Sequence, residues 1–260
     1  MKHWEMTDKE LVRALQILAC PTLPGLSDPT EALPEEMGRR LQSEAEDSLI
    51  KKGLLELSFS GDLLLQEELA GALKEAAARR PWQVLTRLQK GISRSLSLTE
   101  GWALKLDEEG NACFYEPEEP YDEALDFLDL PDPMEELEPE DARIDTELLR
   151  QLETDAILET GCSPDTLYLV LQALNDEAGL TILLTEVPEE GEPETTEYLS
   201  WGGRVLKTRL TYTLDGEFLE AETADIDELL PYQDMVDTDE VYDPDAEEEA
   251  DAGGTPEADA

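Results

Sequence analysis

The sequence predicts an α+β fold: a quasi-two-fold pair of similar halves sharing a central antiparallel sheet flanked by helices, with a disordered acidic C-terminal tail. Three observations carry that expectation. Apolar residues at helical spacing occur in blocks that alternate with stretches whose period is closer to two. The order helix, Gly-Leu, strand, then a later hairpin with an acidic-Gly turn occurs twice, at Gly53-Leu54 with Glu109-Gly110 and at Gly179-Leu180 with Asp215-Gly216. Charge is segregated: residues 1–105 hold 14 basic and 16 acidic residues, and residues 106–260 hold 5 basic and 49 acidic ones. The halves are expected at residues 1–115 and 145–230, joined by an acidic, Pro-rich connector at 116–144 and followed by the tail at 231–260.

Thr7 suits the N-cap of a first helix, Glu10 completes a capping box, and Leu11, Leu15 and Leu18 line one face. Four prolines between Ala19 and Pro34 predict a surface loop. Pro34 fits the first turn of a helix Glu35–Lys52 that carries Met37, Leu41, Ala45, Leu49 and Ile50 inward. Gly53 ends it, with Lys51 and Lys52 at the negative end of the helix dipole. Leu54–Phe59 reads as a strand and Ser60-Gly61-Asp62 as a turn. Leu64, Leu69, Ala72, Leu73 and Ala76 then read as the sticky face of a second helix. Strands are expected at Gln83–Gln89 and Ser93–Leu98, then a hairpin of Trp102–Leu106 with Ala112–Tyr115 around Asp107–Asn111.

Five prolines and many acids make Glu116–Asp141 an irregular connector with a helical turn at Tyr121–Leu128. Asp145 is placed to cap a helix bearing Leu148, Leu149, Leu152 and Ile157. Ser163-Pro164 opens another, with Leu167, Val170, Leu171 and Leu174 on its buried side. Leu180–Val187 is a strand, Pro188–Thr195 an acidic loop, and Tyr198–Trp201, Arg204–Leu214 and Phe218–Thr223 complete a hairpin system before a short helix at Asp225–Leu230. The aromatics Trp102, Phe114, Tyr115, Trp201, Tyr212 and Phe218 are expected mostly in the core.

Catalytic chemistry finds little footing. The single histidine, His3, falls in a segment expected to fray, which argues against a His triad or a multi-histidine metal site. Cys20, Cys113 and Cys162 lack CxxC spacing and fit a reduced, cytoplasmic compartment. No dinucleotide or phosphate-binding loop motif occurs, so no cofactor is expected. The runs Asp126, Asp129, Asp132 and Asp234, Asp237, Asp239, Asp243 lack the central Gly and final Glu of a calcium loop. The first residues do not read as a signal peptide, and the apolar runs are far shorter than the roughly 20 residues that span a bilayer. A net charge of −46 repels nucleic acid and anionic membranes. Lys51-Lys52-Gly53 before a strand–turn–strand resembles the end of a winged helix, but Glu44, Glu46 and Asp47 precede the lysines. A non-enzymatic binding protein is the expectation.

The order of these features resembles the EspG family, the cytosolic chaperones of type VII (ESX) secretion systems. The matching motifs are Glu10-Leu11, Leu23-Pro24, the helix end Leu49–Leu54 (LIKKGL), Gly61 before a leucine-rich helix, and Arg80-Pro81-Trp82 before a strand. Gly203-Arg204, Asp215-Gly216-Glu217-Phe218, and Ala224-Asp225 leading into Leu229-Leu230 extend the likeness over most of residues 5–230. The resemblance implies a protein without catalytic activity that holds a helical secreted client, PE–PPE-like or another type VII substrate, through sheet loops and C-terminal helices. The corresponding positions here are Asp107, Glu108, Glu109, Gly110 and Asn111, and the helix Pro164–Ala178 with Leu167, Val170, Leu171 and Leu174. The acidic connector and tail depart from the family and point to a more basic client. The competing expectation is an acidic mimic of nucleic acid that occupies a basic partner surface.

Overall fold

The computed structural model describes residues 2–151, 162–214 and 216–231. The N-terminus corrects the expectation of fraying: His3–Thr7 forms strand β1, with Trp4 and Met6 buried and His3 and Glu5 exposed. Thr7 ends the strand and caps α1 (Asp8–Ile17). Its Oγ1 accepts from the Glu10 N–H at 3.2 Å, and the Glu10 carboxylate accepts from the Thr7 N–H at 2.6 Å. After the Pro-rich loop come α2 (Glu35–Lys51) and α3 (Glu67–Ala78), which bury Leu49, Leu69, Leu73 and Ala76 together with Leu11 and Leu15. Between them a separate ribbon pairs β2 (Leu55–Leu57) with β3 (Leu63–Leu65). Leu64 therefore belongs to a strand and not to the helix. Three consecutive leucines fit either period, and cross-strand pairing decided.

Two antiparallel meanders make one sheet. The first runs through β4 (Trp82–Gln89), β5 (Ile92–Thr99), β6 (Trp102–Leu106) and β7 (Asn111–Tyr115), and β1 pairs with β7 at its outer edge. The second runs through β9 (Leu180–Val187), β10 (Glu194–Trp201), β11 (Arg204–Thr213) and β12 (Gly216–Ala224). Its outer edge is β8 (Ala142–Asp145), a strand that the sequence did not announce, with Ile144 buried. The ten-stranded order is β1-β7-β6-β5-β4-β9-β10-β11-β12-β8, and β4 meets β9 from Trp82↔Val187 to Leu88↔Thr181. β10 begins at Glu194, inside the expected acidic loop, because Thr195 and Thr196 continue the ladder to β9.

Register sorts the layers. Leu85, Leu184 and Tyr198 share one face, while Trp82 and Leu199 lie on the other. On the Trp82 face, α1 to α3 cover the first meander. Trp4, Trp102 and Phe114 form a triangle of rings, with Phe114 at 5.8 and 5.0 Å from the two tryptophans and these 6.4 Å from each other between centroids, and the fully buried Trp82 donates its indole N–H to the Arg79 carbonyl at 3.0 Å. On the same face α6 (Pro164–Asn175) covers the second meander, packing Leu167, Leu169 and Val170 on Leu199 and Leu206. On the Leu85 face lie α4 (Pro120–Leu128) and a 3₁₀ turn, Ile226–Leu229, whose Leu229 and following Leu230 join Ile182, Leu184 and Tyr198. α4 covers the stretch Tyr121–Leu128 expected to be helical and begins one residue earlier, at Pro120. Asp145 caps α5 (Thr146–Gln151) by accepting from the Glu147 N–H at 2.8 Å. The side chain of Leu148, with Leu152, Ile157, Asp215 and residues 232–260, lies outside what is described. Among the described residues no helix is long and apolar enough to cross a membrane.

The connector is anchored at the β10–β11 turn. Gly202 accepts from the Met134 N–H at 3.0 Å, and the Arg204 guanidinium donates twice to the Met134 carbonyl, at 3.3 and 3.2 Å. Gly203 has φ +72° and lies so close that a Cβ there would sit 2.3 Å from the Pro131 carbonyl oxygen. Only glycine fits.

The buried carboxylate of Glu10, 2 % exposed, joins the helical layer to the sheet edge. Lys52 Nζ lies 2.7 Å from Glu10 Oε2 and 3.2 Å from the Glu5 carbonyl, so it also closes part of the open edge of β1. Burial pushes the Glu10 carboxyl up, but Lys52, Ser48 and the Thr7 N–H together outweigh it and hold it below its ordinary 4.5. A carboxyl depressed by folding stabilises above its unfolded value and loses that contribution as pH falls through its folded value. Glu10→Gln is expected to cost about 1–3 kcal/mol at pH 7. The deficit should shrink below pH 4.5, as read from urea melts across that range; a deficit independent of pH would contradict the assignment.

Candidate functional site

The five residues of the expected contact hairpin form a self-contained turn. Asp107 Oδ1 accepts from the N–H groups of Glu109 and Asn111 at 3.0 and 2.8 Å, and Oδ2 accepts from the Asn111 side chain at 2.7 Å. The Asn111 side chain leads in lowering the Asp107 carboxyl. The backbone donors and the Arg94 charge add to it, against a partial offset from burial. Gly110 accepts from the Asp8 N–H at 2.8 Å and takes φ +80°, so the turn braces the start of α1. Glu108, Glu109 and Asn111 remain exposed. This turn and α6 are not brought together: β5 and β4 lie between β6 and the strand β9 next to α6.

α6 divides the predicted contact residues. Leu167 and Val170 are fully buried in the core and out of a partner's reach. Leu171 is half-buried, and Leu174, expected on the buried side, is 55 % exposed. Tyr168, missed by the sequence reading, is 47 % exposed and meets Trp201 edge-on at 5.3 Å. Tyr168, Leu171 and Leu174 follow one another at i, i+3 spacing along one flank of the helix. The signal for them was present: α6 has apolar residues on more than the one stripe that a sheet covers. Tyr212, expected in the core, is 75 % exposed on β11. In the first half of the chain the β2–β3 ribbon leaves Leu57 and Leu64 more than half exposed and Phe59, in its turn, fully exposed. Such large apolar groups in water are the feature of this surface that most calls for a partner.

The fold also brings His3 to Cys113, on paired strands, with the sulfur 3.7 Å from Nδ1 and 3.9 Å from Nε2 and with Glu5 Oε1 3.5 Å from Nε2. The residue types are those of a nucleophile, base and orienter. The geometry is not. A sulfur nearly equidistant from both ring nitrogens is aligned with neither in-plane lone pair. Burial, with the charges of Glu5 and Glu123 and against that of Lys105, pushes the Cys113 thiol up, away from the reactive thiolate. Among the described residues no group of three or more His, Cys, Asp or Glu side chains is placed to hold a metal ion.

No protein-family model matches this chain, and no curated protein matches it.

Two contrasts test this division between core and surface. Leu167→Ala is expected to lower the unfolding free energy by about 2–5 kcal/mol, whereas Leu174→Ser should stay within about 0.5 kcal/mol of the parent; denaturant titration distinguishes them. Alkylation of Cys113 at neutral pH should be slow, and His3→Ala should leave its rate unchanged. A large drop in that variant would instead reveal a working Cys–His pair.

Proposed function

We propose that this chain is a non-enzymatic cytoplasmic binding protein of the EspG-like type, a type VII secretion chaperone that keeps a helical secreted client soluble. The observation that carries the reading is the strand order. Counted outward from the β4–β9 seam, each side is a four-stranded meander closed by a strand that precedes it in the chain, β1 or β8. Each closing strand runs straight into a capped helix, α1 after Thr7 and α5 after Asp145. Each meander is followed by a helical segment on the Leu85 face, α4 or the 3₁₀ turn. The second hairpin turns, Glu100-Gly101 and Gly202-Gly203, correspond in place and length. We read this as the quasi-two-fold pairing that the family resemblance implies.

The client is a helical secreted protein whose apolar tip lies against the flank of α6, where Tyr168, Leu171 and Leu174 offer a row of half-exposed apolar side chains. Hydrophobic contact supplies affinity, and the surrounding carboxylates favour a client with basic groups at the rim. No turnover is part of this function.

The test is affinity capture of the full chain from a lysate of its own cells, at low and at high salt, beside a Tyr168→Asp/Leu174→Asp variant. A small helical secretion substrate retained at high salt, and lost by the variant, is the expected result. A nucleic-acid-binding protein that washes off as salt rises would overturn the chaperone in favour of the acidic mimic, because exposed charges are screened.

A further inference from the structure

The sheet is unzipped at one place. β10 and β11 pair from Trp201↔Arg204 to Glu197↔Thr208 and then stop, although β10 extends back to Glu194 and β11 runs on to Thr213. Continuing the register would match Thr196 with Arg209 and Thr195 with Leu210, but those pairs are not made. Thr208 closes the end of the ladder, its hydroxyl within 3.3 Å of both the carbonyl and the carboxylate of Glu197. Beyond it the strands diverge around a cleft of about 700 Å³ lined by Glu194, Thr196, Glu197, Lys207, Arg209 and Leu210.

The backbone inside this cleft is arranged for pairing. In an antiparallel ladder the residues of alternate pairs exchange hydrogen bonds, and a two-residue turn is flanked by a bonded pair. The turn at Trp201↔Arg204 therefore directs Arg204, Leu206 and Thr208 toward β10, and the same alternation directs Leu210 and Tyr212. From the opposite side Thr195 points the same way, while β9 and β12 occupy the outer edges of the two strands. The side chains alternate too. Leu210 and Tyr212, 50 % and 75 % exposed, lie on the face that carries α6, and Arg209 and Thr211 lie on the other.

We propose that this cleft takes an extended segment of a partner protein. The segment adds as a strand to β11 along Arg209–Tyr212, with apolar side chains on the Leu210–Tyr212 face and lysine or arginine side chains on the opposite face. Charge selects the occupant. Lys207 and Arg209 stand across from Glu222 and Glu220 on β12, which leaves Glu194 in excess on their face and Glu197 unmatched on the Leu210 face, within a chain of net charge −46. A second copy of this chain is repelled. So are its own residues 232–260, which contain 12 acidic residues and no basic one. A basic extended segment gains both the strand hydrogen bonds and the field. This site shares no residue with the α6 flank and stands independently of the chaperone reading.

The probe is a fluorescein-labelled nine-residue peptide alternating lysine and valine, titrated against the full chain at physiological salt. Saturable binding is expected, with amide NMR shifts concentrated at residues 194–197 and 209–212. Two changes isolate strand addition from simple charge attraction. N-methylation of alternate peptide residues removes backbone donors and keeps the charge. Tyr212→Pro removes a donor that faces the cleft and spares the ladder to β12. Each should weaken binding about tenfold or more, the equivalent of one or two hydrogen bonds; thermal unfolding of the variant shows that it remains folded. A peptide with glutamate for lysine should bind at least as poorly. No binding, shifts elsewhere, or equal binding of the N-methylated peptide overturns the proposal.

Discussion

The ladder between β4 and β9 is the constraint on which the rest of the molecule depends. Seven residues of each strand pair, from Trp82↔Val187 to Leu88↔Thr181, and through them two meanders become one ten-stranded sheet. Both faces of the seam are covered. Trp82 lies under the first helical layer, and Leu85 and Leu184 lie under the cluster that includes Leu229 and Leu230. Aligning strands nearly a hundred residues apart in sequence closes a long loop, an entropic cost that the apolar contacts on both faces must offset. Weakening this ladder would separate the α1–α3 layer from α6 and leave each meander with an open edge.

Much of the architecture was legible because local chemistry agreed with it. Thr7 and Glu10 formed their capping box, Asp145 capped α5, and the β6–β7 hairpin closed around Asp107 as its turn residues required. The errors arose where pairing or burial decides and local sequence does not. β1 is five residues with only Trp4 and Met6 turned inward, and β8 is four residues beside an acidic run; both are strands because a neighbour offers an edge. Leu64 satisfied a helical spacing and a strand pairing equally well. For the candidate surface, periodicity picked out the apolar side chains of α6 but could not divide them. Leu167 and Val170 face the sheet, whereas Leu174 reaches beyond it, and Tyr168 was left unremarked beside them. The unzipped cleft has no signature in sequence at all, since β10 and β11 both keep a good strand pattern through it.

The acidic excess is compatible with this fold because of where it sits. On the outer strands of the second meander carboxylates are matched across the ladder: Glu222 with Lys207, and Glu220 with Arg209 and Arg143. The Arg143 guanidinium also lies over the Phe218 ring at 4.1 Å. In the first half, ion pairs such as Arg13 with Glu46 tie α1 to α2, and Lys105 with Glu123 ties α4 to the sheet. At physiological ionic strength repulsion between exposed carboxylates fades over about 8 Å. The fold therefore carries a large net charge without crowding it into the core.

The separation of β4 from β9 along the chain also has a meaning in time. During synthesis Trp82–Leu88 leaves the ribosome with the first meander, and its partner Leu180–Val187 follows almost a hundred residues later. At translation rates of about 5–20 residues per second, the growing chain carries an open strand edge along β4 for roughly 5 to 20 seconds. Leu229 and Leu230 arrive later still, so the last apolar cover of the seam belongs among the latest residues made. A nascent chain of this protein is at its stickiest halfway through its own synthesis.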